Sequence, residues 1–195
     1  MSQQPNMYRT NEYFYDFMER LHSSGAAKDH VSLKAYRQGD YLLQQNSPLA
    51  RVLIIREGIA KCIINEENGK DFILAFLGTG QLLGELEVLR NTRCLNNVQA
   101  LTSLVAYAVS VPYFRHIVET DKAFNAMLLQ ELANRLAITS TRASLQQLYT
   151  VEHGLRNLLR LLQQQHMTLS KEDMAAYLGI TVRSLNRALK TIGEE

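Results

Sequence analysis

The stretch from Ser170 to Lys190, SKEDMAAYLGITVRSLNRALK, gathers side chains suited to holding a polyanion. Val182, Arg183, Ser184, Asn186, Arg187 and Lys190 are expected on the outer side of a helix that Thr181 is placed to cap and whose inner side is Leu185, Ala188, Leu189 and Ile192. That outer side carries three cations, several short hydrogen-bonding groups and no acid. Arg183 and Arg187 stand one helical turn apart, so both can enter the same groove. An arginine meets guanine O6 and N7 through two parallel hydrogen bonds, whereas Thr181 and Ser184, at the helix start, are placed for phosphate. Upstream, Ser170 is placed to cap a short helix, with Asp173 completing a capping-box pattern, and Met174, Ala175 and Leu178 form its buried side. Gly179 supplies the turn between the two helices. From Val151 to Ile192, six Lys or Arg (156, 160, 171, 183, 187, 190) stand against three acids (152, 172, 173). The local balance is therefore cationic although the whole chain carries a net charge of only +2. On these residues alone a solvated basic face on an ordinary helical hairpin remains an open alternative.

Other chemistries find fewer residues. No nucleophile with an adjacent base and no paired carboxylates stand out, so an enzyme is not expected. Cys62 and Cys94 belong to no CxxC or Cys/His spacing and read as structural thiols. No metal or other cofactor is expected. FILAFLGTGQLLGELEVL imitates the strand, glycine turn and helix of a dinucleotide site. That site needs an acid about 20 residues further on for the ribose, and no Asp or Glu occurs between Glu87 and Glu119.

The elements that must position the basic helix come in three segments, 1–111, 112–149 and 150–195. Within the first, short apolar or alternating runs between Val31 and Val111 (VSLKAY, DYLLQQ, VLIIREGIAKCII, DFILAFL, SLVAYAVSV) are punctuated by Gly39, Gly58, Asn68-Gly69 and Gly78-Thr79-Gly80. This spacing predicts a β-roll, barrel or sandwich. Ahead of it, Phe14, Phe17, Met18 and Leu21 mark a helix. After Pro112 there is no Gly or Pro as far as Tyr149, and Phe124, Leu128, Leu132 and Leu136 form a stripe that continues through Leu145. The pattern predicts one long helix whose stripe is covered by its own domain or by a second copy of the chain. Val151, Leu155, Leu158, Leu159 and Leu162 then give one more helix before the terminal pair. No apolar run approaches the roughly 18 residues of a membrane span, and the N-terminus lacks a signal-peptide pattern, so a cytoplasmic protein without membrane contact is expected.

In the stretch from Gln38 to Leu89, the turns at Gly39-Asp40, Gly58, Asn68-Gly69, Gly80 and Gly84-Glu85-Leu86 resemble those of the cyclic nucleotide-binding roll of the CRP/FNR family of bacterial transcription regulators. The long helix and the terminal helix pair continue the resemblance over nearly the whole chain. It implies an α+β fold: an antiparallel β-roll (a double-stranded β-helix), a long dimerisation helix, and a small helix-turn-helix domain. It also implies double-stranded DNA, a second copy of the chain and RNA polymerase as partners. The dimer interface would include Phe124, Leu128, Leu132, Leu136 and Leu145. The effector pocket would be built from Gly84, Glu85, Leu86, Cys94, Leu95, Thr139 and Ser140.

Departures from the family pattern matter for the effector. Members that bind cyclic AMP place an Arg and a small hydroxyl residue where this chain has Cys94 and Leu95. Neither neutralises a phosphate, and Arg93, one residue away in an extended segment, falls on the opposite face. Glu85 stands where the family meets the ribose hydroxyl, and Thr139-Ser140 where it contacts adenine. Iron-sulfur and haem sensing are not supported: no cysteine precedes Cys62 and no histidine lies between His30 and His116. The β-hairpin wing that the family carries after its second helix is missing from this sequence. The expectation is thus a dimeric DNA-binding regulator answering to a small effector other than cyclic AMP. The alternative is a roll module whose helical tail contacts a protein.

Overall fold

The computed structural model describes residues 8–65 and 71–193. The Asn68-Gly69 turn lies outside the described residues.

Among the described residues nine strands form two sheets. β1 (Tyr8–Arg9), β3 (Tyr41–Leu43), β5 (Ala60–Asn65), β6 (Asp71–Leu77) and β8 (Asn97–Ala100) make a five-stranded sheet in the order β1-β6-β5-β8-β3. β2 (Val31–Tyr36), β4 (Arg51–Glu57), β7 (Leu82–Leu83) and β9 (Leu104–Ser110) make a four-stranded sheet in the order β2-β9-β4-β7. All pairings are antiparallel except β1 with β6.

The uninterrupted apolar run of β4 follows from its being covered on both sides, since alternate side chains of a strand leave opposite faces. Leu53 and Ile55 point into the roll with Ala106 and Ala108 of β9, while Val52 and Ile54 point outward with Tyr107 and Val109. The outward set is covered by α1 (Glu12–Ser23), α3 (Val111–Thr120) and α4 (Lys122–Leu148). β6 reads the same way. Ala75 and Leu77 face the roll interior, and Ile73 and Phe76 face α5 (Val151–Gln164) and α6 (Lys171–Leu178). The molecule is therefore layered: helices, four strands, roll interior, five strands, terminal helices.

The segment expected to be one helix after Pro112 is two. Asp121, with φ −97° and ψ 99°, leaves the helical region, and its carboxylate accepts the Phe124 amide at 2.9 Å, ending α3 and capping α4. The break drives Phe124 into an aromatic cluster, 5.2 Å from Phe14, 4.8 Å from Phe17 and 5.9 Å from Phe114 between ring centres.

The structure corrects the expected interface here. Phe124 and Leu128 are 1% and 2% exposed inside the chain's own core, and Leu132 packs at that core's edge. Phe124 and Leu128 are therefore not available as knobs for a second chain, whereas Leu132 stays partly exposed. Leu129 and Leu136, 64% and 69% exposed, form the uncovered apolar line instead. Leu145, nine residues beyond Leu136, is turned about 180° from it at ~100° per residue, so the two do not share a straight seam. Among the described residues no helix is long and apolar enough to cross a membrane.

Candidate nucleic-acid interface and effector chamber

α7 (Val182–Gly193) is set by its inner side, where Leu185 and Ala188 are buried with Leu155 of α5 and Ala175 of α6. Val182 packs partly against the same cluster and does not face outward. Thr181 begins the helix by accepting the Ser184 amide at 3.1 Å. Gly179, at φ +69°, provides the left-handed turn between α6 and α7. Arg183, Asn186, Arg187 and Lys190 are exposed together on one side, and Asn186 accepts a hydrogen bond from Lys171 at 2.9 Å. The structure thus assembles Thr181, Arg183, Ser184, Asn186, Arg187 and Lys190 along one helix.

The start of that helix is turned toward the roll. Thr181 and Ser184 line a cleft of about 760 Å³ whose far wall is Lys61, Asn65 and Gln99. Three contacts close the cleft. Ile63, Ile73 and Phe76 of the roll pack on Leu158, Leu162 and Tyr177. Lys61 Nζ meets Asp173 Oδ1 at 2.6 Å with both side chains largely buried. Asp173 therefore does not turn back to complete a capping box: Ser170 Oγ accepts the Asp173 amide at 3.0 Å, but the carboxylate goes to the roll. The third contact is Arg142 of α4, which donates to the carbonyls of Leu74 (2.6 Å) and Tyr177 and lies 4.0 Å from the Tyr177 ring centre. Leu74 is the extra residue of a bulge, between the Cys62–Ala75 and Ile63–Ile73 pairs.

Within the roll, Gly84 at φ +92° turns the chain from β7 into α2 (Glu85–Arg90) and places Glu85 at the helix start, 2% exposed. A carboxylate buried this deeply needs a partner, and α4 supplies one. Arg135 pairs with Glu85 through Nη1, with Glu131 Oε1 at 2.9 Å through Nε, and with Gln81 Oε1 (3.1 Å) and the Leu82 carbonyl (3.2 Å) through Nη2. Asn11 Nδ2 and Gln81 Nε2 complete Glu131 at 2.9 and 3.1 Å. Burial pushes the Glu85 carboxyl above the usual carboxylate range, against the opposing pull of Arg135. For Glu131, burial acts in the same sense, but Arg135 and the bonds from Asn11 and Gln81 outweigh it and hold the carboxyl low.

Sequence reasoning singled out Glu85 for an effector, and missed the ion pair it makes with Arg135 and the supporting Glu131 and Gln81. The available signal was Glu131 and Arg135 recurring at i+3 and i+7 from buried Leu128, which puts both charges on the inward side of α4.

The remaining pocket residues are dispersed. Leu86 is partly exposed on α2. Cys94 is buried, its amide donating to Ser47 at 2.9 Å, and the Leu95 amide donates to Glu87 Oε1 at 2.9 Å. Arg93 is exposed and donates to the Asn46 carbonyl at 2.9 Å, away from Glu85. Thr139 and Ser140 are exposed on α4 at and beyond the turn after Arg135. Burial pushes the Cys62 thiol up to about 12, with Glu85 adding to it, so its nucleophilic thiolate is scarce at neutral pH.

Residues 33–121 match the cyclic nucleotide-binding domain family. Over 177 residues the chain is 22% identical to the cAMP-activated global transcriptional regulator CRP of Salmonella typhimurium, covering 85% of this chain and 84% of that protein. Two solved structures have similar folds. CLP, the c-di-GMP-responsive global regulator of Xanthomonas campestris, superposes with a TM-score of 0.77 at 17% identity over 92% of this chain and 91% of its own. A putative crp/fnr-family transcriptional regulator from Eubacterium rectale gives 0.77 at 12% identity, over 93% and 88%. At such identities the structural likeness speaks for the fold alone. Residues 33–121 thus form a cyclic nucleotide-binding domain, and the chain as a whole has sequence homology to CRP.

Proposed function

We propose that the chain is a DNA-binding transcriptional regulator that works as a dimer, with the roll as its sensing part and α7 as its reading element. The observation that carries this reading is the exposed side of α7, where Arg183, Asn186, Arg187 and Lys190 stand together without an acid between Thr181 and Ile192. A two-fold arrangement of such helices matches half-sites about one turn of DNA apart. RNA polymerase is the further partner this reading implies.

Arg187 is expected to read a base and Thr181 to position the helix on phosphate. Arg187→Ala should then weaken the preferred site by about 1–3 kcal/mol and relax its sequence preference. Thr181→Ala should weaken all sequences by similar factors. Selection from randomised duplexes, followed by gel shifts at several salt concentrations, measures both. Unchanged site preference in the Arg187 variant, or binding that does not depend on salt, would remove the reading.

The effector we propose is a small molecule other than cyclic AMP. The segment that would face the cyclic phosphate offers a buried thiol, an aliphatic side chain and the Glu87 carboxylate, which repels an anion. Calorimetry at micromolar protein should show no saturable heat with cyclic AMP. Stoichiometric binding at that concentration would overturn the argument.

A further inference from the structure

The longest stretch of the chain without an acid runs from Val88 to Val118, and it carries Arg90, Arg93 and Arg115. The fold gathers them around Asn91. Val88 of α2 is buried in one cluster with Phe114 and Ile117 of α3, which sets the two helices against each other. Arg115, between those two anchors, reaches across to the Asn91 side chain at 3.4 Å. Asn91, at φ +54°, is the left-handed cap that ends α2, so Arg90 and Arg93 stand on either side of it. Arg93 gives one donor to the Asn46 carbonyl and keeps the rest. All three arginines are exposed, and among the described residues none of them forms an ion pair. The flanking acids do not serve them. Glu87 is 6% exposed and accepts the Leu95 amide, and Glu119, one turn beyond Arg115, forms no ion pair either.

The same corner of the roll shows apolar surface. Because Glu85, Glu87 and Val88 are the buried residues of α2, its outer face is Leu86, Leu89 and Arg90, at i, i+3 and i+4. Leu86 and Leu89 are 37% and 47% exposed. Single leucines on a surface are ordinary, but two side by side, rimmed by unpaired arginines, have the composition of a protein contact, where Arg is enriched and Lys depleted.

We propose that α2 and the start of α3 form a docking surface for a segment of another protein in which carboxylates alternate with large apolar side chains. The carboxylates would take the open donors of Arg90, Arg93 and Arg115 as charge-assisted hydrogen bonds, and the apolar side chains would cover Leu86 and Leu89. A nucleic acid would use the arginines but leave both leucines in water. A second copy of the chain meeting this one through α4 offers nothing to the arginines, since Glu131 is the only acid from Lys122 to Leu148 and is itself buried. The surface lies on the roll, apart from α7, and the proposal does not depend on DNA binding.

The experiment selects peptides from a random phage-displayed library on the full chain and measures the winners by fluorescence anisotropy at low and physiological salt. The winners should combine Asp or Glu with Leu, Ile or Phe. Arg90→Glu with Arg115→Glu should weaken them about tenfold or more at low salt, and by less as salt rises. Leu89→Ser should weaken them about fivefold or more at either salt, as expected where a contact buries an apolar anchor. Lys28→Glu with Lys34→Glu makes the same change in net charge elsewhere on the surface and should leave binding unchanged. All these positions are exposed, so each variant should melt as wild type does, which separates lost contact from lost fold. The proposal is overturned if no peptide is enriched over a blank surface, or if the winners bind the Arg90/Arg115 and Leu89 variants as tightly as wild type. Equal loss in the Lys28/Lys34 control would also overturn it, because net charge alone would then explain the effect. Two further results would give the surface to another occupant and overturn it as stated: a random duplex losing affinity for the Arg90/Arg115 variant while no peptide does, or Leu89→Ser changing the oligomeric state in sedimentation.

Discussion

Replacing Arg135 with Met should cost more stability than any other single surface-to-core contact change in this chain. The substitution keeps the length of the side chain and removes the charge that Glu85 and Glu131 share. Glu131 keeps Asn11 and Gln81, but Glu85, 2% exposed, is left without its partner. Breaking one side of a buried pair costs about 3–5 kcal/mol, because the surviving charge stays out of water. For a chain of this size that corresponds to a fall in melting temperature on the order of 10 °C.

The pH dependence has a definite sign. A carboxyl whose folded pKa lies above its unfolded value is least costly when protonated, and burial already pushes Glu85 upward in the intact protein. Without Arg135 the shift grows. The deficit of Arg135→Met should therefore be largest at neutral pH and shrink as pH falls toward the usual carboxylate range. Adding Glu85→Gln, which removes the stranded charge, should recover a substantial part of the loss at neutral pH. Thermal melts followed by circular dichroism across pH measure all three. A single variant within a degree or two of wild type at pH 7 would mean that water already compensates Glu85.

Why the pair was not legible in the sequence, while the roll around it was, follows from the range of the signals. The strands announce themselves locally, through alternation, apolar runs and glycine turns, so VLIIREGIAKCII and DFILAFL were found as β4, β5 and β6. The terminal helices were legible for the same reason, since Thr181 and Gly179 mark their boundary within a few residues. The break at Asp121 was hidden because the apolar repeat runs across it with no Gly or Pro. The signal there was weaker, an Asp three residues before Phe124, the spacing of an N-cap. The Glu85–Arg135 and Lys61–Asp173 contacts span 50 and 112 positions and carry no local mark. The misplacement of Phe124 and Leu128 has a similar cause. An apolar stripe on a helix states that something covers it, and only the placed roll tells which stretch is covered from within.

That distinction moves the expected dimer contact around α4. Converting Leu129 and Leu136 to Glu should turn a dimer into a monomer of 22.2 kDa. The two leucines are 64% and 69% exposed and seven residues apart, which returns a helix to within about 20° of the same direction. Ala133 and Ser140 lie near that line, small enough to let two helix backbones approach closely. Fully burying two leucines per chain contributes about 6–12 kcal/mol across a symmetric pair of helices. That is of the same order as the 4–15 kcal/mol that association costs in lost freedom. Contacts near this balance are decided by a few side chains, and four buried carboxylates without partners would reverse it. Because both positions are exposed in the single chain, the variant should keep the wild-type helical signal and unfold cooperatively. Leu145→Glu, on the far side of the helix from Leu136, should remain dimeric and serves as the control. Sedimentation equilibrium over a wide concentration range distinguishes the outcomes. A double variant that still sediments as a dimer, or a Leu145 variant that dissociates as readily, would place the interface on another face of α4.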